Sequence, residues 1–355
     1  MKDDGSFWNG SGTGNEFRSE SPMGRKFIID SLKYWVTEYK VDGFRFDLMG
    51  LIDLKTVEQV TKELHAIDPN IFIYGEPWAS GDTPIQITGK GSQKGKGFSV
   101  FNDNFRNAIK GSVFGNDQGY VQSGNYLPAI KKGIIGSITD FAQEPYESIN
   151  YVECHDNRTF WDRLIYTTVS DKSITDTDRI AMDKLGAAIL FTSQGVPFIQ
   201  TGQEFLRTKG GEDNSYNKLD SVNKIQWQWK IDHVDVYQYY RGLIQLRKSH
   251  PMFRFKTRIE ILDNVKFLDD DLKLQLPSNC LGYKITKGNS GDSWNEVIVL
   301  ANPNPTQAIL PIPGGNWTIT VNKKESGDKP VSSQPSTISG GKIELPPRSA
   351  MVLFR

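Results

Sequence analysis

Over residues 1–256, apolar side chains alternate between helical spacing and short continuous runs. Helical spacing covers residues 22–40, 54–66, 178–191 and 234–250. The apolar positions of the first pattern are Met23, Phe27, Ile28, Leu32, Trp35 and Val36. Short apolar runs typical of buried strands cover residues 44–48, 71–78, 98–103, 149–157 and 196–205. Because short strands alternate with helices, the pattern predicts a parallel sheet covered on both faces.

From residue 257 onward, apolar and polar residues alternate with a period of two. The runs cover residues 281–286, 296–303, 306–312, 316–321 and 341–355, with turns rich in Gly, Pro, Asn and Ser between them. No helical pattern follows the mid-250s. The sequence therefore predicts two domains, an α/β domain over residues 1–256 and an all-β sandwich over residues 257–355.

Composition excludes some classes of partner. The 355 residues include 42 basic and 42 acidic side chains, so the near-zero net charge gives no reason to expect nucleic acid. No run of eighteen apolar residues occurs, so no membrane span is expected. Cys154 and Cys280 cannot form a metal site by themselves, and we expect two free thiols. The 8 Trp and 13 Tyr serve core packing or, as the alternative, a carbohydrate-binding cleft.

Acidic residues close several of the predicted strands. Asp47 and Glu76 end two consecutive strands, and His155 with Asp156 follows a later one. In βα barrels, the carboxyl ends of the strands carry the chemistry. Because neighbouring parallel strands lie about 5 Å apart, we expect Asp47 and Glu76 to be separated by roughly 5 to 5.5 Å. That separation is the one found in retaining glycosidases.

A retaining glycosidase needs its two carboxyl groups in opposite protonation states. Arg45 lies two residues before Asp47 and is expected on the same face, where it would pair with Asp47 and keep it ionised. Glu76 has no cation adjacent in sequence, and its apolar neighbours favour the neutral acid that proton donation needs. Asp156 is expected to hold substrate hydroxyls and to stabilise oxocarbenium character.

Three motifs resemble signature regions of one enzyme family. "DGFRFDLM" at 42–49, "YGEPW" at 74–78 and "VECHDN" at 152–157 are similar to the second, third and fourth signature regions of the α-amylase superfamily of glycoside hydrolases. Residues 10–53, 196–209 and 214–227 resemble type I pullulanases, the bacterial debranching enzymes. The resemblance covers essentially the whole chain.

The resemblance implies a role for each candidate site residue. Asp47 would be the nucleophile, Glu76 the acid/base and Asp156 the stabiliser of the transition state. Arg45 and His155 would be partners at subsite −1, and Trp78 would be the aromatic platform beyond the scissile bond. Asn157 and Tyr216 would be further substrate contacts.

The resemblance implies no required cofactor, although calcium is a candidate ligand because the family sometimes binds it. Asp213, Asn214 and Asp220 would be its contacts, without the spacing of an EF-hand. The glycine-rich segment 88–97 lacks the spacing of a phosphate loop and is expected to be a surface loop.

The family's first signature region and its first three barrel strands have no counterpart here. We therefore expect strands four to eight of a (β/α)8 TIM barrel, as the C-terminal portion of a larger enzyme. The open edges of such a sheet predict an N-terminal fragment that completes the barrel, or a truncated sequence. The first twenty residues lack an apolar signal core. Any export signal would lie upstream, which leaves the localisation open.

The expected function is hydrolysis of α-1,6 branch linkages in pullulan, limit dextrin or amylopectin by retaining double displacement. An α-glucan polysaccharide is the expected partner. Within the superfamily, isoamylase, neopullulanase or branching-enzyme activity is the alternative. An inactive glucan-binding fragment is the alternative outside the enzymes.

Overall fold

The computed structural model describes all 355 residues and divides into two compact units. Unit 1 consists of Met1–Phe101 and Ser137–Ile149, and unit 2 consists of Asn102–Gly136 and Asn150–Arg355. None of the helices combines the length and the apolar character needed to cross a membrane.

Two sheets organise the chain. The strands are β1 (Gly43–Phe46), β2 (Phe72–Gly75), β3 (Ser99–Asn102), β4 (Ser148–Tyr151), β5 (Val196–Phe198), β6 (Val265–Phe267), β7 (Leu281–Thr286), β8 (Glu296–Asn302), β9 (Ala308–Val321), β10 (Thr337–Leu345) and β11 (Ser349–Phe354). One sheet has the order β1-β2-β3-β4-β5, and the other has the order β10-β9-β11-β8-β7-β6. The first is the five-stranded, parallel part of a (β/α)8 barrel and the second is antiparallel, which confirms the predicted fold class.

Helices follow most of the barrel strands. They are α1 (Pro22–Tyr39), α2 (Leu54–His65), α3 (Asp103–Lys110), α4 (Tyr120–Ser123), α5 (Leu127–Ile134), α6 (Phe160–Thr168), α7 (Asp176–Thr192), α8 (Asp220–Asn223), α9 (Trp229–Asp232), α10 (Val234–Ser249) and α11 (Arg258–Asn264). The four predicted helical segments correspond to α1, α2, α7 and α10.

Local sequence explains where the elements of unit 1 begin. Ser21 caps α1 by accepting a hydrogen bond from the Gly24 N–H at 3.1 Å. Asp53 caps α2 through the Thr56 N–H at 3.1 Å. At the start of β1, a Cβ atom on Gly43 would lie 2.3 Å from the carbonyl oxygen of the facing β2 residue. Only glycine therefore allows the two strands to pair at this point.

Only part of the predicted apolar face of α1 is buried. Val36 is buried and Ile28 and Leu32 pack against the same core cluster, as predicted. Met23, Phe27 and Trp35 are exposed instead, and Ile29 is buried although it lies outside the predicted set. Apolar residues occupy more than one face of this helix, so spacing alone did not select the buried side. Packing against α2 selects it.

The all-β domain has a core of fourteen buried residues around the fully buried Trp317. Its longest strand, β9, joins two runs that the sequence pattern separates.

The prediction that no helix follows the mid-250s is wrong, because α11 occupies Arg258–Asn264. Thr257 and Glu260 form a capping box, with the Glu260 carboxylate 2.9 Å from the Thr257 N–H. Seven residues are too few for periodicity to reveal such a helix. The domain boundary between residues 256 and 257 stays a prediction.

Arg247 on α10 provides a test of how α7 is stabilised. Its buried guanidinium donates to the carbonyl oxygens of Phe191 at 3.0 Å, Ser193 at 2.6 Å and Gly195 at 2.7 Å, around the end of α7. Helix C-termini leave such carbonyls unsatisfied. Arg247→Met should therefore lower the free energy of unfolding by about 3 kcal/mol or more, as measured by chemical denaturation.

The matched control for this prediction is Arg241→Met, since Arg241 is exposed on the same helix. We expect Arg241→Met to alter the free energy of unfolding by no more than about 0.5 kcal/mol. Equal losses for the two variants would contradict the capping role of Arg247.

Candidate active site

The register of β1 and β2 places two carboxylates at the same level. The strands pair in parallel, with Arg45 opposite Tyr74 and Phe46 opposite Gly75. Asp47 and Glu76 are the next residues of the two strands. Because side chains at matching positions of neighbouring parallel strands leave the sheet close together, both acids lie at the carboxyl end of the sheet.

One arginine contacts both acids. The Arg45 guanidinium forms an ion pair with Asp47 through Nη1, and its Nη2 atom lies 2.7 Å from Glu76 Oε1. Glu76 Oε2 accepts a second hydrogen bond, from the Leu48 N–H at 2.7 Å. The predicted pairing of Arg45 with Asp47 is therefore present.

No cation is adjacent to Glu76 in sequence, but Arg45 lies beside it in space. Arg45 comes from the neighbouring strand, so the parallel register supplies a charge that the residues flanking Glu76 do not reveal. The contacts from Arg45 and from the Leu48 N–H stabilise the charged form of a carboxylate.

The two acids differ strongly in exposure. The Asp47 side chain is 75% exposed, whereas the Glu76 side chain is 6% exposed. An exposed carboxylate is accessible to an incoming sugar, and a buried one sits in the drier surroundings that suit proton transfer. The arrangement thus provides one accessible carboxylate and one sheltered carboxylate.

Close backbone packing positions the segment that carries Trp78. The Gly50 N–H donates to the Glu76 carbonyl oxygen at 3.0 Å, and a Cβ atom on Gly50 would lie 2.3 Å from the Trp78 carbonyl oxygen. Two residues after Trp78, the Ser80 N–H donates to the Gly10 carbonyl oxygen at 2.8 Å. Gly50 is a positioning residue that the sequence reasoning missed, although a glycine directly after the "FDLM" motif was a visible signal.

Unit 2 contains the second group of predicted site residues. His155 and Asp156 follow β4, with His155 Nε2 at 3.6 Å from Asp156 Oδ1 and both side chains more than half exposed. Asn157 adopts a left-handed backbone conformation with φ 60°. Tyr216 lies in a loop of the same unit and is highly exposed. The structure thus groups Arg45, Asp47, Glu76 and Trp78 in unit 1, and His155, Asp156, Asn157 and Tyr216 in unit 2.

A buried acid and a buried base beside His155 escaped the sequence reasoning. Glu153 is 1% exposed and accepts a hydrogen bond from the Phe160 N–H. Burial raises the pKa of Glu153 to about 7, and burial lowers the pKa of Lys110 to about 8. The Lys110 ammonium donates to the Arg158 carbonyl oxygen at 3.3 Å. An acidic residue inside the apolar run 149–157 was the available signal.

The structure forms no group of three or more His, Cys, Asp or Glu side chains that could hold a metal ion. Asp213, one of the calcium candidates, instead accepts a hydrogen bond from the Arg158 N–H at 3.2 Å and lies 3.4 Å from Arg158 Nη1. Calcium binding by Asp213, Asn214 and Asp220 stays a prediction, and no step proposed below uses a metal.

Two family models match most of the chain. Residues 11–233 match the family described as "Alpha amylase, catalytic domain". This chain belongs to the alpha-amylase family. Residues 264–325 match a second family, described as "Pullulanase, all-beta domain".

Among members of the alpha-amylase family, the chain is similar to pullulanases. It is 37% identical to the pullulanase of Bacillus subtilis (strain 168), over 86% of this chain and 43% of that protein. The solved pullulanase from Bacillus acidopullulyticus is 44% identical with a TM-score of 0.94, covering 100% of this chain and 43% of that one. The crystal structure of type I pullulanase from Bacillus subtilis complexed with maltose is 32% identical with a TM-score of 0.90, covering 100% and 49%.

These matches confirm the predicted resemblance to type I pullulanase. The chain spans about half the length, or less, of the relatives that it matches.

Proposed function

We propose that Asp47 and Glu76 are the nucleophile and the acid/base of a glycoside hydrolase that cleaves α-1,6 branch linkages in pullulan, limit dextrin or amylopectin. The observation that carries this proposal is the contact of one guanidinium, that of Arg45, with both carboxylates at the ends of neighbouring parallel strands. A single guanidinium reaches two acids only when they flank one small space, as the carboxyl pair of a retaining glycosidase does.

The first half of the proposed reaction forms a glycosyl-enzyme. Asp47 attacks the anomeric carbon and forms a carbon–oxygen bond to its carboxylate as the glycosidic bond breaks. Glu76 donates its proton to the departing glycosidic oxygen, which leaves as an alcohol. Proton donation requires Glu76 to carry a proton, and we expect a bound glucan to weaken the contact between Arg45 and Glu76 that opposes this.

The second half releases the sugar. Glu76, now a carboxylate, removes a proton from water, and the resulting oxygen nucleophile attacks the anomeric carbon. The bond to Asp47 breaks, so both carboxyl groups return to their initial states and the anomeric configuration is retained. Asp156 stabilises the positive charge on the sugar in both halves, and the reaction requires no cofactor.

The remaining predicted residues bind the glucan in this proposal. Arg45 and His155 contact the sugar at the scissile bond, Trp78 stacks on the sugar beyond it, and Asn157 and Tyr216 provide further contacts. Flat aromatic rings suit the apolar faces of sugars. The similar Bacillus subtilis structure contains maltose, which supports an α-glucan as the ligand class.

Product analysis tests this proposal. The 355-residue chain is incubated with pullulan and, as a control, with unbranched amylose, and the released sugars are identified. Maltotriose from pullulan without cleavage of amylose is the expected result. A different set of products from pullulan would indicate another activity of the superfamily. Retention on immobilised glucan without released sugar would indicate a binding protein.

A further inference from the structure

Lys209 is a buried cation that the proposed reaction does not use. The residue is 3% exposed, and burial lowers the pKa of its ammonium group. A buried ammonium costs several kcal/mol unless partners replace the lost water. The partners of Lys209 therefore indicate why the chain keeps a charge at this position.

Its backbone is attached to α6. The Lys209 N–H donates to Asp162 Oδ2 at 2.7 Å, and the Thr208 hydroxyl donates to the other oxygen of the same carboxylate. Asp162 lies in the first turn of α6 and is 2% exposed. The buried Asp162 carboxylate on α6 thus fixes the backbone position from which the Lys209 side chain extends.

The side chain joins two segments that carry proposed glucan contacts. Its Nζ atom donates to the His155 carbonyl oxygen at 3.2 Å and to the Ser215 hydroxyl oxygen at 3.1 Å. His155 precedes Asp156, and Ser215 precedes Tyr216. One ammonium group therefore bridges the two backbone segments from which these side chains project.

A weaker hydrogen bond also connects these two regions of the chain. Asp213 Oδ1 accepts from the Arg158 N–H at 3.2 Å, so the same two segments meet a second time. The Asp213 side chain is 43% exposed, whereas Ser215 is buried. Because solvent weakens exposed charge contacts, Lys209 is the stronger of the two connections.

We propose that Lys209 is a positioning residue, whose ammonium group holds the segment 155–157 and the segment 215–216 at one spacing so that both contact the same glucan. This inference rests on the proposed function, because it assigns the two segments to one glucan site. The lysine acts through the residues that it holds and touches no sugar itself.

The test compares Lys209→Met with Lys184→Met in the full chain. Lys184 is also a buried lysine, and its ammonium pairs with Asp235 at 2.9 Å. With both variants folded, Lys209→Met should lower kcat/KM on pullulan at least tenfold and weaken maltotriose binding in calorimetry at least fivefold. Amide exchange should become faster in both segments, 155–158 and 213–217. Lys184→Met should leave all three measurements within about twofold of the parent.

Ser215→Ala removes one acceptor without creating an unpaired buried charge. It should speed exchange in the segment 213–217 and add little to the effect of Lys209→Met in a double-mutant cycle, since both changes break the same link. Additive effects would overturn the proposal.

Two outcomes separate this inference from the proposed function. An active Lys209→Met chain with parental maltotriose affinity would overturn the positioning role alone. A parent chain that neither binds maltotriose nor cleaves pullulan would overturn the proposed function, and the positioning role with it.

Discussion

Replacing Asp47 by Asn is expected to lower the turnover of pullulan by at least about 10³-fold while leaving the affinity for maltotriose within about threefold. The amide has nearly the shape of the carboxylate but cannot attack the anomeric carbon. Because the Asp47 side chain is 75% exposed, the change leaves no buried polar group without a partner and should not unfold the chain. Initial rates of reducing-sugar release and calorimetric titration measure the two quantities.

The control for the Asp47 prediction is Asp30→Asn, because Asp30 is an exposed acid that pairs with Lys26 on α1. Its turnover should equal that of the parent. If Asp47→Asn lost affinity but kept its turnover at saturating pullulan, Asp47 would be a binding residue and the nucleophile would have to be sought elsewhere.

Glu153→Gln is expected to remove a pH dependence of stability that the parent shows between about pH 4.5 and 7. Burial raises the pKa of Glu153 from the ordinary value 4.5 to about 7. The folded chain therefore keeps a proton that the unfolded chain releases. The stabilisation is complete below pH 4.5 and is lost as the pH rises through about 7, an effect on the order of 3 kcal/mol.

Lys110 affects the pH dependence of stability in the opposite direction. Burial lowers its pKa from 10.5 to about 8. Its contribution to stability is present above about pH 10.5 and is lost as the pH falls through about 8. In the parent, Glu153 and Lys110 should therefore contribute least to the free energy of unfolding between about pH 7 and 8. In that range both groups are charged in the interior of unit 2.

Denaturant unfolding at a series of pH values measures both effects. The curve of unfolding free energy for Glu153→Gln should be flatter than the parent curve between pH 4.5 and 7. Glu344→Gln is the matched control, since Glu344 is exposed on β10, and its curve should run parallel to that of the parent. Parallel curves for all three chains would show that Glu153 is ionised in the folded state at these pH values.

The sequence pattern predicted most of the fold because the relevant signals are local. Ser21 before Pro22 marks the start of α1, and Asp53 marks the start of α2. The fold class, the five barrel strands and the all-β region follow from period and length. The pattern failed where several faces of one helix were apolar, as in α1, and where the helix was too short for a period, as in α11.

The acids of the candidate site could also be read from the chain, because Asp47, Glu76 and Asp156 each follow a strand run. Their charged neighbours could not. Arg45 contacts Glu76 across two strands, over 31 positions of sequence, and Lys209 reaches the His155 carbonyl oxygen over 54. Such contacts depend on strand register and loop path, which no local pattern encodes.

By itself, the sequence determined which residues end the strands and therefore which acids are available for chemistry. Only the tertiary structure decided their electrostatic surroundings. It placed Arg45 against both Asp47 and Glu76, buried Glu153 and enclosed Lys209 between two loops. The physical reason is that secondary structure follows from neighbours along the chain, whereas burial and charge pairing follow from neighbours in space.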